Sequence, residues 1–117
     1  MSTNTQDNDC PFCAILSGEE PGTVIARDDE QGFVLIQSIH PESSVHWLAM
    51  PVEHVASTEA LEAADGEQFL NLVEFAIDQA NAQTANYPEL TSGYTLKLHF
   101  GAHETVPHAK VHILNVE

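Results

Sequence analysis

Positive charge is scarce in this sequence. Its 117 residues include three Lys or Arg residues against 18 Asp or Glu residues, and the formal net charge is −15. Nucleic acids and anionic membranes carry negative charge, so a surface of this composition repels both. We therefore expect no nucleic-acid partner and no membrane partner. The few basic residues are Arg27, Lys97 and Lys110, and the last two lie near the C-terminus among several histidines.

Long hydrophobic runs are also lacking. No stretch approaches the roughly 18 consecutive apolar residues that a membrane-spanning helix needs, although 43% of the residues are hydrophobic, as in a globular domain. Residues 1–9 are polar and acidic, unlike a signal peptide or a basic transit peptide. We expect a cytoplasmic protein with a flexible N-terminal tail over residues 1–9 and one domain over residues 10–117.

Hydrophobic patterning predicts an α+β fold. After Asp65, a candidate N-cap, apolar side chains recur at helical spacing and predict one long helix to about Ala85. A shorter helix is expected to begin near Phe12 and to end at Gly18. Strands followed by a helix and then by further strands indicate a largely antiparallel sheet. The strand-like segments cover residues 24–27, 33–37, 45–50, 93–100 and 108–115.

The last predicted strand carries an unusual set of side chains. Successive side chains of a strand point to opposite faces, so His108, Lys110 and His112 share one face. The apolar residues between them can then enter a core. Two imidazoles and an ammonium suit phosphate or a metal ion better than they suit burial. The connection before this strand is short, so the last two strands are expected to pair and to bring Lys97 and His99 beside this face.

Cysteine is rare as well, and Cys10 and Cys13 are the only two, in a C-x-x-C spacing. A structural disulfide is disfavoured in a reducing compartment. A redox dithiol normally follows a strand and opens a helix, whereas only polar residues precede this pair. A zinc site would need two further ligands, for which we choose His54 and His108. The spacing does not exclude other histidines, namely His40, His46, His99 and His103.

Three segments, in order along the chain, resemble the histidine triad (HIT) family of nucleotide-binding hydrolases and transferases. Residues 10–18 read CPFCAILSG and resemble the C-x-F-C-x-I-x-x-G segment of the zinc-containing members. Residues 46–54 read HWLAMPVEH and resemble the family's H-x-L-V-I-P-x-x-H strand. Residues 106–114 read VPHAKVHIL and resemble the signature V-x-H-x-H-x-H followed by two apolar residues.

This resemblance implies an α+β HIT fold, a homodimer and a Zn²⁺ cofactor. In the zinc-containing members, the ligands are the two N-terminal cysteines, the histidine after P-x-x and the first triad histidine. The matching residues are Cys10, Cys13, His54 and His108, and all four are present. The metal would then tie the N-terminal segment to the last strand and staple a small domain.

The catalytic positions depart from the family pattern. The family's middle triad histidine attacks the α-phosphorus of a nucleotide; here this position is Lys110, while the third histidine is retained as His112. The family's aspartate that holds the ribose hydroxyls matches Leu35, and its asparagine at the end of the penultimate strand matches His99. Thr105 keeps a hydroxyl where the family has serine. The resemblance therefore implies that hydrolysis through a nucleotidyl-histidine is lost.

Three functions are compatible with this pattern, and the sequence leaves open whether the protein is an enzyme. The first is a nucleotide- or phosphate-binding protein with a degenerate catalytic motif. The second is a phosphoramidase-like hydrolase or transferase in which Lys110 and His112 are catalytic, since nearby positive charge lowers the pKa of a lysine and exposes a nucleophilic amine. The third is a zinc-stabilised interaction domain. The candidate ligand-binding residues are Lys97, His99, Thr105, Lys110 and His112.

Overall fold

Five strands form one sheet in the computed structural model, which describes residues 10–117. The expected N-terminal tail, residues 1–9, lies outside the described residues. The order across the sheet is β1-β2-β3-β5-β4, and every neighbouring pair is antiparallel. The strands are β1 (Val24–Asp28), β2 (Phe33–Gln37), β3 (His46–Pro51), β4 (Thr95–Lys97) and β5 (Val111–Leu114).

Three α-helices accompany the sheet: α1 (Pro11–Ser17), α2 (Thr58–Ala64) and α3 (Gly66–Ala82). Two short 3₁₀ turns are present: Pro88–Ser92 lies between α3 and β4, and Gly101–His103 lies between β4 and β5. As predicted, the side chain of Asp65 caps α3, and α1 ends at Gly18, whose φ of 88° is a left-handed conformation that glycine adopts readily. Within residues 10–117, no helix is long and apolar enough to cross a membrane. The predicted α+β fold is confirmed.

The two faces of the sheet bury different layers, because alternate side chains of a strand point to opposite sides. Residues such as Leu35, Trp47 and Ile113 pack with α3 in the main core. The residues between them pack with α1 on the other side of the sheet, where they form a second, smaller core. These residues are Val34, Ile36, Leu48 and Met50.

Strand β5 begins at Val111, three residues later than predicted. The backbone N–H groups just before β5 donate hydrogen bonds to residues outside the sheet. The N–H of Ala109 donates to the carbonyl oxygen of Val55 at 2.7 Å, and the N–H of Lys110 donates to Oγ1 of Thr58 at 3.1 Å. These bonds attach the segment before β5 to the start of α2. Alternation nevertheless holds, because Ala109 and Val111 both enter the main core.

Strand β4 is also shorter than the predicted segment of residues 93–100, and α3 ends at Ala82 rather than near Ala85. The predicted pairing of the last two strands is confirmed. In the register of β4 and β5, Lys97 lies opposite His112. On the other side of β5, His112 is paired with Leu48 of β3. His112 therefore sits between two neighbouring strands, on the face of the sheet that carries α1.

Candidate functional site

Four residues from separate parts of the chain bring metal-ligating atoms together. Cys10 and Cys13 come from the start of α1, His54 follows β3, and His108 precedes β5. All four ligating atoms lie within 4.8 Å of one another. Cys10 is the N-cap of α1, and its Sγ accepts a hydrogen bond from the N–H of Cys13 at 3.4 Å. The four residues chosen from the sequence thus form a cluster that could hold a metal ion.

The distances within this cluster fit tetrahedral coordination. Nδ1 of His108 lies 3.4 Å from Sγ of Cys10 and 3.7 Å from Sγ of Cys13, which is 3.3 Å from Nδ1 of His54. Sulfur and nitrogen ligands of a tetrahedral Zn²⁺ are separated by about 3.5 Å. Nε2 of His108 donates to the carbonyl oxygen of Pro51 at 2.8 Å, which leaves Nδ1 with its lone pair. Burial lowers the pKa of His108 to about 4, so the imidazole is neutral, as a ligand must be.

The ammonium of Lys110 is enclosed by the protein. Its three hydrogens meet three acceptors: Oε2 of Glu104 at 3.2 Å and the carbonyl oxygens of Val106 and His108 at 2.9 and 2.7 Å. The side chain is only 6% exposed, and Nζ lies 5.4 Å from the centroid of the Phe12 ring. Burial lowers the pKa of Lys110, and the Glu104 carboxylate opposes this effect. An ammonium held in this way has no lone pair with which to attack an electrophile.

Glu104 is the counter-ion of Lys110 and is itself buried, with a side chain 3% exposed. Its Oε1 accepts a hydrogen bond from the N–H of Thr58 at 2.7 Å, and its Oε2 accepts one from the Thr58 hydroxyl at 2.6 Å. The carboxylate therefore receives two hydrogen bonds from Thr58 besides the one from its cation, Lys110. This network joins the loop before the triad segment to the first residue of α2 and to the approach to β5.

A cavity of about 460 Å³ lies beside this network. Its walls include apolar side chains such as Phe12, Ile39 and Leu48, which is typical of a site for a small molecule. Five of the seven histidines of the chain line it, and the other two belong to the metal cluster. The lining histidines are His40, His46, His99, His103 and His112.

A larger cavity of about 590 Å³ lies near the junction of α2 and α3. It is lined by no histidine and no basic residue, whereas Glu53 and Asp65 contribute carboxylates. A phosphate would be repelled there. The histidine-lined cavity is therefore the better candidate for a functional site, although it is the smaller of the two.

His46 and His112 form a hydrogen-bonded pair in the cavity wall, with Nε2 of His46 3.0 Å from Nδ1 of His112. The ring of His99 meets that of His112 edge-on, with the centroids 4.9 Å apart. Burial lowers the pKa of both paired histidines, and it lowers that of His112 to about 3 with smaller contributions from His99 and His46. Both imidazoles are therefore neutral at neutral pH.

Four of the five candidate ligand-binding residues line this cavity, and Lys97 is the exception. Its Nζ forms an ion pair with Oε1 of Glu42 at 3.0 Å, and Glu42 does line the cavity. The hydrogen bond from Lys97 is the largest of the effects that lower the pKa of Glu42. Lys97 thus contacts a carboxylate that lines the cavity but does not line the cavity itself. The four lining residues are His99, Thr105, Lys110 and His112.

The match of Leu35 to a ligand-holding position is wrong. Its side chain is fully buried in the main core, on the face of the sheet that carries α3. The residue that lines the cavity at the end of β2 is Ser38, three positions later. The sheet places Leu35 on the face opposite the cavity, a distinction that the sequence match did not make. The cavity therefore offers a hydroxyl at this point and not a carboxylate.

Sequence reasoning missed Glu104 and Thr58, which hold Lys110 in place, and it gave His46 no role beside His112. One signal was present: Glu104 is the only acidic residue between Gly93 and Val116. A lone carboxylate six residues before the only lysine of the last strand segment is a signal for an ion pair. For Thr58, which is distant along the chain, the sequence carried no comparable signal.

Comparisons with known proteins place the chain among related sequences. The family model described as the C-terminal binding region of the scavenger mRNA decapping enzyme matches residues 9–117. An uncharacterized HIT-like protein of Mycobacterium tuberculosis is 33% identical over 107 residues, which are 90% of this chain and 69% of the relative. Adenosine 5′-monophosphoramidase HINT3 of Mus musculus is 23% identical over 108 residues. That match covers 92% of this chain but spans only 64% of the relative.

Solved structures show the same fold. A HIT family hydrolase from Clostridium thermocellum superimposes with a TM-score of 0.74 at 27% identity, covering 93% of this chain and 91% of that chain. A histidine triad protein from Clostridium difficile gives a TM-score of 0.73 at 26% identity, covering 91% of this chain and 89% of that chain. The similarity therefore extends over nearly the whole of the described residues.

Proposed function

Since the chain belongs to the histidine triad (HIT) family, we propose that it binds a nucleotide or another small phosphate-containing molecule without hydrolysing it through a nucleotidyl-histidine. The enclosed ammonium of Lys110 carries this proposal. By resemblance, Lys110 stands where the family has its attacking histidine, and it donates all three hydrogens within the protein. The cavity remains, while the attacking group is absent.

Catalysis with Lys110 as the nucleophile is less well supported. Attack requires a neutral amine, so the ammonium would have to lose a proton next to the carboxylate of Glu104, which favours the charged form. The amine would also have to leave the carbonyl oxygens of Val106 and His108. Each of these steps raises the barrier. We therefore assign Lys110 a structural role beside the ligand site.

The contacts for the ligand would come from the histidine side of the cavity. His99, Thr105 and His112 offer N–H or O–H donors to phosphate oxygens, and the apolar walls suit a base or another flat group. The cavity volume falls within the range of small-molecule sites. Because salt screens the repulsion between an anion and the net charge of −15, binding of an anion should weaken less steeply with salt than at a basic site.

We also propose that Zn²⁺ occupies the cluster of Cys10, Cys13, His54 and His108. Two thiolates and two imidazoles are a donor set typical of closed structural zinc sites. When bound, the metal would supply a cross-link between α1, the segment after β3 and the segment before β5. The remaining expectations, namely a single HIT-like domain over residues 10–117 and a cytoplasmic location, stay predictions.

A homodimer is a further part of the proposal, taken from the family resemblance. It is supported by the position of β4 at the edge of the sheet. Just beyond β4, Leu98 and Phe100 are 37% and 40% exposed, although both are large and apolar. Light scattering behind size exclusion should give twice the chain mass. A monomer at micromolar concentration would contradict this part of the proposal.

Calorimetry and a turnover assay on one metal-loaded preparation test the proposed function. We expect AMP, inorganic phosphate or glucose 6-phosphate to bind at low salt, while adenosine 5′-phosphoramidate is not hydrolysed and leaves no adduct by intact mass. Loss of the His112 donor in His112→Ala should weaken binding by about 10-fold or more, since a hydrogen bond to a charged group contributes about 1.5–3 kcal/mol.

The controls separate the alternatives. Lys97→Gln and Arg27→Gln each remove one positive charge, but Arg27, on β1, pairs with Asp29 and does not line the cavity. If Lys97 assists binding through Glu42, only Lys97→Gln should weaken it. Turnover, or an adduct that disappears in Lys110→Arg, would instead favour the altered enzyme. Absence of binding to all three compounds in a zinc-loaded protein would favour the interaction domain.

A further inference from the structure

The backbone around His46 fixes which nitrogen of this histidine carries hydrogen. The N–H of Glu42 donates to Nδ1 of His46 at 3.1 Å. A backbone N–H cannot act as an acceptor, so Nδ1 of His46 must present a lone pair. In the neutral imidazole the hydrogen is then on Nε2. His46 is 2% exposed, and burial lowers its pKa, so the neutral form is the relevant one.

The same reasoning extends to the next ring. Nε2 of His46 lies 3.0 Å from Nδ1 of His112. Since Nε2 of His46 bears the hydrogen, it donates, and Nδ1 of His112 accepts. The single hydrogen of neutral His112 is therefore on its own Nε2. A chain of two hydrogen bonds, from Glu42 through His46 to His112, determines the tautomer of the last ring.

Nε2 of His112 is the end of this chain. Among residues 10–117 this nitrogen makes no hydrogen bond. It is also not fully buried, because the fully buried polar atoms without a partner belong to other residues. The ring lines the histidine cavity. The open end of the chain is thus an N–H group that is accessible from the cavity.

We propose that His46 is a positioning residue that holds His112 as a neutral N–H donor toward the ligand. The inference rests on the proposed function for the identity of the ligand, a phosphate whose oxygen accepts this hydrogen. It also excludes two other roles for His112. With its hydrogen on Nε2, His112 presents no lone pair to the cavity, so it is neither the nucleophile nor the general base.

The hydrogen-bond chain from Glu42 to His112 also resists protonation. An added proton would have to enter at Nδ1 of His46 or at Nδ1 of His112, and each of these atoms already accepts a hydrogen bond. Protonation would therefore break one link of the chain. The titratable and charged groups around the pair are Glu42 before β3, Lys97 on β4, His99 after β4, Lys110 before β5, and His40, His103 and Glu104 in the cavity wall. Two of the cations are already paired, Lys97 with Glu42 and Lys110 with Glu104.

Two substitutions of His46 distinguish the roles of its two ring nitrogens. The amide of His46→Gln reaches the position of Nε2 and can still donate to His112. The shorter His46→Asn reaches the position of Nδ1, so it can still accept from Glu42 but leaves Nδ1 of His112 without a donor. Both variants replace a buried imidazole by an amide, so loss of packing alone would affect them in similar ways.

Long-range ¹H–¹⁵N spectra of the metal-loaded protein between pH 8 and pH 5 read the tautomers directly. We expect wild-type His46 and His112 to carry hydrogen on Nε2 only, without titrating. His46→Gln should keep this pattern for His112. In His46→Asn, the His112 signals should shift to averaged values and titrate, because Nδ1 is free to take up a proton.

Binding of AMP gives the second readout. In wild type, AMP should shift the Nε2–H proton of His112. Relative to wild type, the affinity of His46→Asn for AMP should strengthen by up to about 10-fold per pH unit as the pH falls, because His112 becomes cationic. His46→Gln should follow wild type.

Some outcomes would overturn the inference. These are a hydrogen on Nδ1 of wild-type His112, titration of wild-type His112 above pH 5, spectra of His46→Asn that match wild type, and AMP binding that leaves the His112 proton unshifted. If neither AMP nor inorganic phosphate binds wild type, the proposed function fails. The tautomers of the ligand-free protein still decide whether the hydrogen-bond chain from Glu42 to His112 forms.

Discussion

Replacement of Lys110 by methionine tests whether this residue serves the fold. Met keeps most of the apolar stem that lies near Phe12 but removes the ammonium and its three hydrogen bonds. Glu104 would then be buried without a counter-ion, although Thr58 still donates to it twice. Breaking a buried ion pair costs about 3–5 kcal/mol. Since two donors to Glu104 remain, we expect the lower end, about 3 kcal/mol.

This loss is a large part of the total free energy of unfolding, which is about 5–15 kcal/mol for a domain. Urea unfolding of metal-loaded protein at pH 7 measures it, and Trp47, the single tryptophan, is fully buried and reports the transition by fluorescence. The matched control is Lys97→Met. Its ion pair with Glu42 is partly exposed, so the cost should be about 0–1 kcal/mol.

A double variant isolates the pair itself. Lys110→Met combined with Glu104→Gln removes both charges, so the combined loss should be smaller than the sum of the single losses by about 1–3 kcal/mol. The reasoning would be refuted if Lys110→Met cost less than about 1 kcal/mol, or no more than Lys97→Met. Additive losses in the double variant would show that the two side chains do not act together.

Three further predictions concern the metal, the pH dependence and a helix end. Elemental analysis should find one zinc per chain in wild type and little in Cys13→Ser, and chelation should lower the melting temperature of wild type but not that of the variant. The folded-state pKa of His112, about 3, lies below the reference value of 6.5. The unfolded chain therefore binds the extra proton between these pH values, and stability falls as the pH is lowered. In His112→Gln this decline, measured by urea unfolding at equal metal loading, should be shallower by up to about 1.4 kcal/mol per pH unit, and an equal slope would contradict the shifted pKa. Gly18→Ala should cost about 1 kcal/mol in the same assay, because alanine is strained at a φ of 88°; a neutral effect would count against the left-handed cap.

Much of the fold followed from local patterns. The helical spacing of apolar residues after Asp65 predicted α3, and Gly18 marked the end of α1, because periodicity and end signals depend on neighbours along the chain. Strand ends were less predictable. The segment before β5 has the alternation of a strand, but Thr58 and Val55 provide its hydrogen bonds, and such distant partners are not visible in the sequence.

The candidate site, like the fold, was predicted from the sequence only in part. The motifs identified Cys10, Cys13, His54 and His108 as a possible ligand set, and the structure brings their ligating atoms together. The match of Leu35 to a ligand-holding position was wrong because the motif does not show which face of the sheet a residue occupies, and only the sheet showed which residues face the cavity.

The sequence by itself determined the long helix, the order of the strands along the chain, the family resemblance and the position of Lys110 between His108 and His112, since each of these is written in residue type and spacing. Only the tertiary structure decided what Lys110 does. Its role depends on Glu104 and Thr58, and a buried charge acts according to the groups that fold around it. The tautomer of His112 was decided in the same way, by a backbone N–H that reaches it through His46 from a loop some 70 residues earlier in the chain.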